Sequence, residues 1–127
     1  MTTDTDTDTH GIAAAQIDAA GALMSLLTAH ATLPAPVARL EYLRVPGTHD
    51  FAWGLDISLH YGVDQFEQWR QALGIDPAGV GLDTTESGAF GWLSVTTTHA
   101  GVPLKVTGYL VPRFKVGPRT DGTPLPA

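Results

Sequence analysis

Between Phe51 and Tyr61 the chain alternates with a period of two. Phe51, Trp53, Leu55, Ile57, Leu59 and Tyr61 are large and apolar, and Ala52, Gly54, Asp56, Ser58 and His60 between them are small or polar. Successive side chains of a strand point to opposite faces, so this stretch has one apolar face and one polar face. A helix would scatter the same six residues around its circumference. The chain must therefore build a sheet with other elements packed on one side. At 127 residues it has the size of one domain, large enough to fold without disulfide or metal staples.

The flanking patterns supply those elements. In residues 12–31 the apolar residues Ala13, Ile17, Ala20, Met24, Leu27 and Ala31 recur at steps of four and three, which predicts a helix with that stripe facing a core. Gly21 in its middle costs about 1 kcal/mol against Ala or permits close packing on a sheet. Leu33-Pro34-Ala35-Pro36 ends the helix. Residues 37–45 read as a half-buried strand, followed by a Pro46-Gly47 turn before the alternating strand. Asp64 with Glu67 resembles a capping box opening a second helix lined by Phe66, Trp69 and Leu73 and stopped by Gly74. Residues 75–89, with Gly79, Gly81 and Gly88, read as a long loop. Strands at 90–98 and 102–111 close the set, joined by the short turn His99-Ala100-Gly101. Leu93, Val95, Leu104 and Val106 form their dry face, and Ser94, Thr96 and Thr98 the other.

The order helix–strand–strand, twice over, predicts an α+β fold: a four-stranded antiparallel sheet with two helices on one face, connected like a permuted split βαβ arrangement. The domain is expected over 11–111. Residues 1–10, a Thr/Asp repeat holding three of the 13 acids, read as a disordered acidic tail with no signal-peptide pattern. Residues 112–127, rich in Pro and Gly, read as a loose basic tail carrying Arg113, Lys115 and Arg119.

Composition excludes several classes. The absence of cysteine removes disulfides, thiolate catalysis and Cys-based metal centres. The formal net charge of −6 disfavours general nucleic-acid binding, which needs cations to neutralise phosphates. No run of about 18 apolar residues predicts a membrane span. Phosphate-binding loops are missing: neither G-x-x-x-x-G-K nor G-x-G-x-x-G occurs.

The chemistry-bearing candidates are few. Asp56, Ser58 and His60 share one strand face and are the candidate ligand-binding residues. They are not a hydrolytic triad, because same-face neighbours along a strand stand about 6.6 Å apart. A metal site would have to join His60 to His99 or His49 with Asp56, from unlinked positions, so neither a metal nor a cofactor is expected. Arg113, Lys115 and Arg119 are the candidate nucleic-acid contacts. The tryptophans and phenylalanines fall at core spacing rather than on a basic face.

Residues 55–60 (LDISLH), 64–74 (DQFEQWRQALG) and 101–109 (GVPLKVTGY) resemble small proteins of high-GC actinobacteria, some of them carried near mobile elements. The resemblance spans about residues 20–111 and rests on no specific motif. It implies a source and a cytoplasmic compartment and transfers no activity, cofactor or site residue. With no catalytic signature and a sheet whose edges are open, the expected function is a non-catalytic cytoplasmic interaction module that self-associates by pairing edge strands, its partner a second copy in a homodimer or another protein. The alternatives are a small-molecule binder or enzyme using the polar sheet face under a 75–89 lid, and a nucleic-acid accessory protein acting through the basic tail.

Overall fold

The computed structural model describes residues 11–88 and 90–110. The elements run α1 (Ile17–Ala29, after a 3-10 turn at Ala13–Gln16), β1 (Val37–Arg44), β2 (Phe51–Leu59), α2 (Val63–Ala72), a second 3-10 turn at Pro77–Gly79, β3 (Gly81–Thr84), β4 (Gly91–His99) and β5 (Val102–Tyr109). The fold is α+β, with a five-stranded mixed sheet of order β1-β2-β5-β4-β3. The basic-tail residues Arg113, Lys115 and Arg119 and the acidic segment 1–10 lie outside the described residues.

The sequence predicts four antiparallel strands in a repeated pattern, and the chain departs from this in two linked ways. A fifth strand, β3, occupies part of the expected loop, and the central pair β2 and β5 is parallel. The connection through α2 returns the chain so that β3 runs in the same direction as β2. Two turns later β5 does so again, because β3–β4 and β4–β5 are each antiparallel. Remove β3 and a single turn would leave the strand beside β2 antiparallel, as in the permuted split βαβ arrangement. One short edge strand therefore decides the direction of the pair at the centre of the sheet.

The core lies between the helices and the β2–β5 pair. Leu55, Ile57 and Leu59 of β2 face Leu104, Val106 and Gly108 of β5, and Phe66, Trp69 and Leu26 descend on them from α2 and α1. At Gly108 a Cβ would stand 2.6 Å from the Phe66 Cβ, so the missing side chain lets α2 sit close to the sheet. The ends of the alternating stretch escape this cover, with Tyr61 83% exposed.

The helices keep their positions and differ in detail from expectation. Asp64 and Glu67 form no capping box: Gly62 is the N-cap, and Glu67 instead takes two hydrogen bonds from Arg70, at 3.0 and 2.8 Å. Arg70 also donates to the Ile75 carbonyl, and Gly74 takes φ +70°, which turns the chain out of α2. In α1 the face is reversed. Ala19, Ala22 and Leu26 are buried, while Ile17, Ala20, Met24, Leu27 and Ala31, the stripe expected in the core, are exposed. Gly21 serves no close packing, since a Cβ there meets nothing within 4 Å. Small residues carry α1 onto the sheet, and small residues give a weak hydrophobic signal.

Candidate functional site

Two places on the fold carry features that packing alone does not explain. The first is polar and lies on the sheet face opposite the helices. Register sets Arg39 of β1 opposite Asp56 of β2, and Asp56 beside Lys105 of β5, with Glu41 opposite Gly54. Asp56 is only 4% exposed although no described helix covers it, because these longer neighbours enclose it. Arg39 Nη2 donates to Asp56 Oδ2 at 2.9 Å and stands 3.5 Å from Glu41 Oε1, an ion-pair distance without a hydrogen bond. Two oxygens, Asp56 Oδ1 and Glu41 Oε1, are buried and have no hydrogen-bond partner. Such acceptors are rare in folded proteins because desolvation costs about 1–3 kcal/mol each. Asp56, first as an acceptor that a protonated Glu41 would meet and also through its charge, holds the Glu41 carboxyl above the usual carboxylate range, with desolvation adding to the effect and Arg39 and Lys105 opposing it.

The three residues expected to bind a ligand do not converge. Asp56 is engaged by Arg39. Ser58 lies half-buried in the row with Thr107, two positions further along β2. His60, one residue past β2, stacks on Tyr109 with ring centroids 4.8 Å apart and planes 15° apart, and Trp92 tilts against the same tyrosine. His99 turns to the other side of the sheet and meets Ser25 Oγ at 3.3 Å, so it cannot join His60 at a metal. Among the described residues no three His, Asp or Glu side chains gather as a metal ion would require. The segment read as a lid contains the hydrogen-bonded strand β3.

The second place is apolar. Ile17, Ala20, Met24 and Leu27 follow one another at steps of three and four along the outer side of α1, with Ala31 in the turn after it and Ile17 66% and Met24 70% exposed. At its C-terminal end this stripe runs into a cleft of about 290 Å³ lined by Leu27, His30, Ala31, Leu33, Pro36 and Trp69, among others. The cleft is held by Trp69 Nε1, which donates to the Pro34 carbonyl at 2.8 Å, and by the edge-on contact of His30 with the Trp69 ring. Its volume is just below the range of about 300–1,000 Å³ usual for ligand pockets, and its lining is mostly aliphatic.

Sequence reasoning found this stripe and assigned it to the core. It missed the pairing of Glu41 with Asp56, for which sequence offers no signal: the two meet only through the register of β1 against β2. No protein-family model, curated protein or solved structure matches the chain. Among the described residues no helix is long and apolar enough to cross a membrane.

Proposed function

We propose that the chain is a non-catalytic interaction module that self-associates through α1. The observation that carries this reading is the exposed apolar stripe. Ile17, Ala20, Met24 and Leu27 occupy alternate a and d positions of two heptads, with Ala31 next in the row in the turn after α1, a spacing suited to packing against another helix. A second copy of α1 supplies a matching surface. Antiparallel pairing sets a positions against d positions, which brings Met24 of one copy onto Ala20 of the other and Ile17 onto Leu27, with large groups over small at the centre. Asp18 is the sole charged residue of α1, and the antiparallel direction keeps the two Asp18 carboxylates at opposite ends. The same geometry carries Ile12, 53% exposed, toward the cleft beside Ala31 of the second copy.

The sheet edges suit this role less well. β1 carries Arg39, Glu41 and Arg44, and β3 is four residues long, both of them features that discourage edge pairing. A ligand site at Asp56, Ser58 and His60 has less support too, since Arg39 occupies the one buried carboxylate and Tyr109 the imidazole face. The compartment proposed is cytoplasmic.

Sedimentation equilibrium over a concentration series tests the reading. Two heptads make a short seam, so the mass should rise from 13.4 kDa toward twice that value as concentration increases. Met24→Glu should hold it at the single-chain mass with an unchanged circular dichroism spectrum. A wild-type chain monomeric up to about 1 mM, or a Met24→Glu chain that still dimerises, defeats it.

A further inference from the structure

The stripe on α1 leaves the orphaned carboxylate oxygens of the opposite face unaccounted for. Asp56 Oδ1 and Glu41 Oε1 are both buried acceptors, in side chains that are diagonal neighbours across β1 and β2, and neither has a donor. Gly54, opposite Glu41, has no side chain to separate them, and it cannot gain one, because a Cβ there would collide with the Pro103 carbonyl oxygen. A single hydrogen placed between the two oxygens gives one of them a covalent proton and the other a hydrogen bond, removing both deficits at once.

We propose that Glu41 and Asp56 hold one proton between Oε1 and Oδ1, forming a proton-binding site across β1 and β2 whose emptying loosens the edge strand β1. The charges facing the pair are few and identifiable. Arg39, from β1 itself, bonds Asp56 Oδ2 and lies within ion-pair distance of Glu41. Lys105, from β5, lies beside Asp56 in register and acts on Glu41. Tyr109, also from β5, bears electrostatically on Arg39, and His60 lies further along the same face stacked on it. With the proton in place the two cations face one net carboxylate charge. With it gone, two carboxylates are pressed together, and Arg39, whose side chain is 66% exposed, is the group free to move between them. Repulsion then acts across the β1–β2 ladder, and among the described residues β1 has no strand on its other side to hold it.

Carbon-detected NMR of the wild-type chain tests this directly. The side-chain carboxyl of Glu41 should titrate with a midpoint above the ordinary glutamate range. Amide exchange across β1, corrected for its intrinsic pH dependence, should accelerate as pH passes that midpoint while β4 and β5 stay protected. Glu41→Gln, whose amide donates permanently to Oδ1, should abolish the β1 acceleration. Should that variant fail to fold, the wild-type titration alone decides. A Glu41 midpoint in the free-glutamate range, or β1 protection that ignores the titration, overturns the site.

Discussion

The two helices lie on the same side of the same sheet and treat it in opposite ways. α2 sends its largest residues inward: Phe66 and Trp69 are at most 1% exposed, and its outer side is polar, with Gln68 and Gln71 facing solvent. α1 sends Ala19, Ala22 and Leu26 inward, with Leu23 partly buried against the same core, and keeps Ile17, Met24 and Leu27 outside. Hydrophobic burial scales with apolar area, so α2 anchors the fold while α1 leaves much of its apolar area unused by its own chain. A helix that spends its small residues on its own sheet and its large ones on solvent is shaped for a second surface.

Substitutions along the two helices test that contrast. The largest effect belongs to the anchor: Phe66→Ala should cost about 3–5 kcal/mol in thermal or denaturant unfolding. Leu26→Ala, the inward leucine of α1, should cost about 2–5 kcal/mol. Gly108→Ala attacks the anchor from below and should cost about 1–3 kcal/mol, because the new methyl meets Phe66 and a backbone position cannot retreat. On the outer side of α1, Met24→Glu should change the unfolding free energy of the monomer by no more than about 0.5 kcal/mol while removing the dimer. Equal losses of stability from Leu26→Ala and Met24→Glu would erase the distinction between the two sides of α1.

Smaller effects than those of the buried anchors come from a turn and from two carboxyls. Ala100, at φ +51° in the β4–β5 turn, is the only described non-glycine residue with positive φ, and Ala100→Gly should raise stability by about 1 kcal/mol. Stability should also respond to pH in two opposed directions. The folded chain holds the Glu41 proton more tightly than the unfolded chain does. This contribution is therefore complete below the ordinary glutamate range and is lost as pH rises through the elevated Glu41 value. Glu67 works the other way, since its hydrogen bonds from Arg70 hold its carboxyl below the ordinary range. Its contribution is present above that range and lost as pH falls through the lowered value. Urea unfolding across pH, repeated on Glu41→Gln and Glu67→Gln, separates the two.

What was legible in the sequence follows from where the physical signal lies. The strand Phe51–Leu59 could be read because a period of two in large residues has one structural meaning, and α2 because its two anchors are aromatic. The inward face of α1 could not, because Ala19 and Ala22 look neutral beside Ile17 and Met24, and only the packed structure shows that the alanines are the ones covered. β3 has four exposed residues among glycines and no alternation to announce it. The direction of β5 against β2 was lost with it, since that direction depends on the number of strands between them. For the polar face, the sequence placed Asp56, Ser58 and His60 at same-face spacing but could not supply Arg39 and Glu41. Those come from another strand, and cross-strand neighbours follow from register alone.

The parallel pairing of β2 with β5 also sets the order of events in time. Leu55, Ile57 and Leu59 complete their burial only when Leu104 and Val106 arrive, and α2, β3 and β4 all lie between them in the chain. Closing that span costs loop entropy before any contact rewards it, so the step that fixes the sheet's centre is non-local and slow. During synthesis α1 is available to cover part of β2 from the start, but the edge of β2 away from β1 stays unpaired until β5 has been made. The most hydrophobic strand of the protein thus keeps one edge open until nearly the whole domain has been made, and a ribosome stalled before β5 would hold out an adhesive strand edge.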